Sequence, residues 1–180
     1  MKSAKIQIIL FALFVFTAGM AAMAQEKKAA VPNDQVWLQK FVGRWTAKVV
    51  MTDDKKQSLT FTTQMNYSSV ADGTGVYGTE SADDPKLGKL RASYLLGYDP
   101  YEKKIHFYAV VNMGVCHDHD CTWKSPDHLY MEHNSMRDGK AFKEAIDIVF
   151  KDKNTIDYSE TDFLAGNIIE TDKGIFKKAK

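Results

Sequence analysis

From Gly43 onward, apolar and polar residues alternate along most of the chain. The clearest stretch is Leu59 to Ser68, LTFTTQMNYS, in which Leu59, Phe61, Met65 and Tyr67 share one parity and Thr60, Thr62, Gln64 and Asn66 the other. Successive side chains of a strand point to opposite faces, so this pattern predicts an antiparallel strand with one buried and one solvated side. The same reading places strands near 44–52, 57–68, 75–81, 89–98, 104–112, 120–124, 128–135, 140–151, 155–162 and 167–177. Turn chemistry separates them. Asp72-Gly73 and Asp138-Gly139 suit tight hairpins, Asp99-Pro100 and Ser125-Pro126-Asp127 open turns, and Lys153-Asn154 and Gly166-Asn167 close the last two hairpins.

About ten short strands with brief links describe an all-β, up-and-down antiparallel meander, which curls into a closed barrel because closure removes exposed sheet edges. One helical piece precedes it. Asn33 and Asp34 are good N-cap residues, and Val36, Trp37 and Phe41 follow at roughly helical spacing, so this segment is expected to cap one barrel end.

The first residues follow another rule. Lys2 and Lys5 make a basic start, Ile6 to Phe16 is almost purely apolar, and Ala22-Met23-Ala24 supplies small residues before Gln25. That is the layout of a cleaved secretory signal, giving residues 1–24 as signal peptide, 25–33 as a flexible tail and 34–180 as the barrel domain, in a periplasmic or secreted protein. Removing the signal leaves 22 basic against 23 acidic residues. A near-neutral surface argues against a nucleic-acid partner, and the only membrane contact expected is through the signal before cleavage. The pattern fixes no oligomeric state.

Export bears on GVCHDHDCTW, Gly114 to Trp123, which holds the only two cysteines. Outside the cytoplasm paired thiols oxidise, so Cys116 and Cys121 are expected to form a disulfide around a polar turn, worth roughly 2 kcal/mol on a loop-entropy account. If Ser125-Pro126 is a two-residue hairpin turn, His119 lies across from Glu132, and Asp118 across from His133. His117, His119 and Glu132 then share a face that suits zinc or copper, although the spacing matches no standard zinc signature. His106 starts its strand about ten residues before Cys116 and is expected far from this group.

Several of these stretches resemble a known family. The short helix leading into Gly43-Arg44-Trp45 resembles the Gly-x-Trp start of lipocalin-like barrels. Leu96-Gly97-Tyr98-Asp99-Pro100, followed by Lys103-Lys104-Ile105-His106-Phe107-Tyr108, resembles the mid-barrel hairpin of small exported bacterial lipocalin-like (calycin-type) families of unknown function, near nitrobindin and the fatty-acid-binding proteins. The likeness runs over most of Trp37 to Lys178, chiefly as strand order. Classical lipocalins set an arginine late in the barrel against the tryptophan, where this chain carries Lys177 and Lys178. Nitrobindin-type domains bind haem through a histidine near the C-terminus, whereas no histidine here follows His133.

Small closed barrels often hold one apolar guest. The inward parity offers Phe61, Met65, Tyr67, Tyr94, Leu96, Phe107, Met131, Ile146, Ile148 and Phe150 as lining residues, and the strand tyrosines give an amphipathic guest a polar handle. There is no Gly-x-Ser-x-Gly, no His-Glu-x-x-His and no glycine-rich phosphate loop, so no catalytic residue is assigned and no cofactor is called for. The expected function is therefore binding of a small apolar or amphipathic molecule. The alternatives are a metal- or haem-handling protein using His117 and His119, and a filled barrel acting as a partner-binding module.

Overall fold

The computed structural model describes residues 33–84 and 88–180. The signal segment 1–24 and, apart from Asn33, the tail 25–33 lie outside the described residues. Helix α1 (Asn33–Leu38) runs into a 3-10 turn (Gln39–Phe41). Ten strands follow: β1 (Gly43–Asp53), β2 (Ser58–Val70), β3 (Gly75–Asp84), β4 (Gly88–Asp99), β5 (Lys104–Val111), β6 (Val115–Ser125), β7 (His128–Arg137), β8 (Lys140–Asp152), β9 (Thr155–Leu164) and β10 (Asn167–Lys178). Each pairs antiparallel with its sequence neighbour, and β1 pairs with β10 from Trp45↔Lys178 to Asp53↔Glu170, which closes the barrel. The up-and-down barrel with a short N-terminal helix is the architecture the alternation predicts.

The helix covers the barrel end where β1 begins. Leu38 and Phe41 are buried, the Phe41 ring packs edge-on to Phe150 at 5.0 Å, and Trp37 meets Trp123 at 5.5 Å. Gln39 Nε2 donates to the Gly73 carbonyl (3.0 Å), and Lys40 Nζ reaches Asp127 (2.6 Å), tying the cap to two hairpins at that end.

The Gly-x-Trp stretch has a physical explanation. Gly43 sits at φ +134°, where a side chain is strained, and a Cβ there would meet the Lys178 side chain. Lys178 passes through that space and sets its ammonium 4.9 Å from the Trp45 ring centroid, while Trp45 Nε1 donates to the Phe41 carbonyl at 2.7 Å. A lysine thus makes the cation–π contact for which classical lipocalins use arginine. At Gly78 the missing side chain has a second use, because the Tyr67 ring lies where a Cβ would sit and is held against β3.

The stretch expected as a stapled turn is most of β6. Its burial alternates, with Val115, His117, His119, Cys121 and Trp123 on the inner parity and Cys116, Asp118, Asp120 and Lys124 on the outer. Histidine and aspartate disguise a period-two pattern. The disulfide expectation falls with the turn. Five residues apart on one strand, Cys116 and Cys121 face opposite sides and lie about 16 Å apart, well beyond the roughly 7 Å limit for bridged Cα atoms. Both are free, Cys116 exposed and Cys121 buried, and burial pushes the Cys121 thiol up. A thiol-reactive dye should therefore label one cysteine per chain in the native protein and two after unfolding without reductant. A count of zero in the unfolded chain would mark a disulfide.

Candidate functional site

A cavity of about 390 Å³ occupies the barrel. It runs from Phe41 at the helix-capped end to Met113, exposed in the β5–β6 hairpin, and Arg137 at the end of β7. It therefore reaches the opposite barrel end. Of the sequence-predicted lining residues, Phe61, Met65, Tyr67, Tyr94, Leu96, Phe107, Met131, Ile146 and Ile148 all border it. Phe150 lies buried beneath it, against Phe41. An aromatic strip crosses one side: Tyr67 stacks near Tyr94 (6.3 Å), Tyr94 on Phe107 (5.2 Å), and Phe107 meets His119 edge-on (5.0 Å).

Polar side chains share the lining. His117 and His119 from β6 project inward and grip one carboxylate of β8: His117 Nδ1 lies 2.6 Å from Glu144 Oε2, and His119 Nε2 lies 3.0 Å from Glu144 Oε1. His119 is 1% exposed. Burial pushes the Glu144 carboxyl up, but the hydrogen bond and charge of His119, joined by those of His117, outweigh it and hold Glu144 below the usual range. Burial likewise lowers His117. Glu144, Glu160 and Asp162 also come together, and Tyr158 donates to Glu160. Burial keeps Glu160 well above the ordinary carboxylate range, with the charge of Glu144 adding to the shift. Across the lumen, Thr63 (2.6 Å) and Tyr94 donate to Glu80, whose carboxyl burial also raises.

Glu132 is not in this group. The hairpin turn is Pro126-Asp127, with Ser125 paired to His128, instead of the expected Ser125-Pro126. A β-bulge between Trp123 and Ser125 then shifts the β6–β7 register by one residue, so Glu132 pairs with Asp120 instead of lying across from His119. A one-residue slip exchanges the faces of every later side chain. Glu132 accordingly points outward to Lys143 (2.8 Å) and Tyr130 (2.9 Å), and Glu144 takes the place expected for it. The same slip turns His133 toward His117, with the rings stacked at 4.0 Å, while His133 Nδ1 donates to the Asp118 carbonyl at 2.9 Å. His106 lies on the outer face beside Glu102 and Asp118, apart from the inner histidines.

Sequence reasoning passed over the inward carboxylates Glu80, Glu144, Glu160, Asp162, Glu170 and Asp172, all of which border the cavity with Arg137. The signal was present. Glu144 shares parity with Phe142, Ile146, Ile148 and Phe150, an apolar face on which a carboxylate is out of place. Three buried polar atoms of the cavity lining, His119 Nδ1, Asp162 Oδ1 and Asp172 Oδ1, have no hydrogen-bond partner among the described residues.

No protein-family profile matches the chain, and no curated protein matches it in sequence. Solved structures do match in fold. The chain is similar to Rv2717c from M. tuberculosis (TM-score 0.61, 12% identity, covering 83% of this chain and 99% of that one). It is also similar to the S-type phycobiliprotein lyase CPES from Guillardia theta (TM-score 0.58, 11% identity, 81% and 92% covered). At these identities the likeness is one of fold alone, and it fits a calycin-like, lipocalin-like barrel fold.

Burial raises Asp172 and Asp162 to about 7, with neighbouring carboxylates adding to both shifts. The folded chain then keeps protons that the unfolded chain releases above about pH 4, so their stabilisation is complete below that pH and lost as pH rises through about 7. Asp172→Asn should raise the melting temperature at pH 8 by at least about 2–4 °C, the shift that one kcal/mol gives in a domain of this size. The gain should shrink toward pH 5. An equal gain at both pH values in thermal melts would mean that Asp172 ionises normally in the folded state.

Proposed function

We propose that this chain is an exported carrier that holds one small amphipathic molecule in the barrel without transforming it. The carrying observation is the cavity itself. A space of about 390 Å³ falls within the roughly 300–1,000 Å³ usual for small-molecule sites, and its lining combines apolar and ionisable side chains. The aromatic strip and Met65, Ile146 and Ile148 offer an apolar body contact area, and burying such a body contributes about 25 cal/mol per Å². The same lining offers carboxylates and imidazoles, which suit a head group that donates hydrogen bonds. The absence of a nucleophile–base motif from the sequence supports binding without chemistry, and a phycobiliprotein lyase sharing the fold is consistent with small-molecule handling. Export is supported by the basic, apolar and small-residue layout of residues 1–24.

Two measurements test the proposal. Titration with the apolar fluorophore N-phenyl-1-naphthylamine should give a saturable rise in emission. Ala109→Trp, which places an indole at a buried cavity-lining position, should weaken binding at least about tenfold, or roughly 1.4 kcal/mol, with the circular dichroism spectrum unchanged. Undiminished binding in that variant would put the fluorophore elsewhere and end the carrier reading. The intact mass of protein recovered from its own host should correspond to a chain beginning at Gln25, and a mass retaining Met1 would remove export.

A further inference from the structure

We infer that His117, His119 and Glu144 form a binding site for one divalent transition-metal ion in the barrel wall, with its open side toward the cavity. The site needs no amphipathic guest and stands apart from the carrier reading.

The ligand set comes first. One potential ligand atom from each of the three residues lies within 4.8 Å of the other two, close enough for a single ion to touch all three after small side-chain shifts. Two imidazoles and a carboxylate are the donors preferred by zinc, cobalt, nickel and copper. They project from neighbouring positions on β6 and from β8, regular strands rather than mobile loops, which favours a fixed geometry.

An independent observation points the same way. His119 is almost wholly buried, and with Nε2 facing Glu144 its Nδ1 meets no donor or acceptor among the described residues. That nitrogen lies on the far side of the ring from Glu144, so an ion shared with Glu144 would take Nε2, and Nδ1 would be left to donate to water or to a guest. Asp162, beside Glu144, also carries a buried oxygen without a partner.

Charge supplies the third support. Glu144, Glu160 and Asp162 crowd together, and Glu170 and Asp172 border the same cavity. Arg137 is the only arginine or lysine among the cavity-lining residues described. A bound cation offsets the cost of ionising carboxylates crowded together, and Glu160 and Asp162 lie beside Glu144. Three protein ligands with one position facing a cavity is the arrangement that leaves a metal accessible to a guest or to water.

A second histidine–carboxylate group, Asp99, Glu102 and His106, lies on the barrel exterior and serves as the internal control. The test uses cobalt(II) and zinc(II) alone, added to metal-stripped protein. One equivalent of cobalt should remain after dialysis and show visible absorption typical of a low-coordinate nitrogen–oxygen site, without the near-ultraviolet thiolate band that Cys116 or Cys121 would produce. Zinc should displace it. Glu144→Gln, nearly identical in shape, and His119→Ala should each weaken binding at least about tenfold, the lower bound for disturbing even an outer-shell partner. Glu132→Gln, His106→Ala and Cys116→Ser should leave the affinity unchanged. If His119→Ala does not fold, Glu144→Gln decides alone. Failure to retain cobalt, or retention that survives Glu144→Gln and disappears in His106→Ala, overturns the inference. Neither result affects fluorophore binding at Ala109, so the carrier reading and the metal site fail separately.

Discussion

The pairing of β1 with β10 is the constraint on which the rest of the molecule depends. Once the first and last strands meet, no sheet edge is left, and every second side chain must point into an enclosed space. An eight-stranded barrel has an interior that its own side chains can just fill. Ten strands enclose more, and helix α1 closes only one end. The cavity is the volume that Phe41, Trp45, Leu96 and Phe107 leave over after packing the capped end. Residues that hold the cap, such as Trp45 with Lys178 across it, therefore also set how deep the cavity can be.

Enclosure decides the chemistry of the polar lining. A carboxylate removed from water is costly unless it is paired. The structure answers that cost in two ways within one cavity. Glu144 is gripped by two imidazoles and held low, whereas Glu80 and Glu160, served mainly by hydroxyl donors, are driven up by burial. Groups of the same type thus carry different charge states according to their neighbours. Of the four buried side-chain atoms without a partner among the described residues, those on His119, Asp162 and Asp172 border this cavity, and a cavity lined by both aromatic rings and unmet polar groups is shaped to receive something with both characters.

Much of this was readable without coordinates. The strand count, the hairpin positions, the capping helix and most of the apolar lining follow from parity, because parity is local and survives any arrangement of the strands. The departures share a cause. His-Asp-His-Asp between two cysteines reads as a turn by composition, yet its inward and outward positions alternate as cleanly as those of its neighbours. Once the segment is a strand, the disulfide is geometrically excluded. Glu144 lies between Phe142 and Ile146 on one parity of β8, so its inward position is legible in the alternation, whereas its meeting with His117 and His119 is not.

By itself the sequence determined that this chain is a barrel, which faces of its strands are greasy, and which residues with chemical capacity lie on them, since each depends only on the alternation of side chains along one strand. The tertiary structure alone decided which of those residues meet. A single bulged residue between Trp123 and Ser125 exchanged Glu132 for His133 beside the inner histidines, and Glu144, more than twenty positions downstream, became their partner. Register between strands is set by how whole neighbours fit together in space, and no pattern along one strand records it.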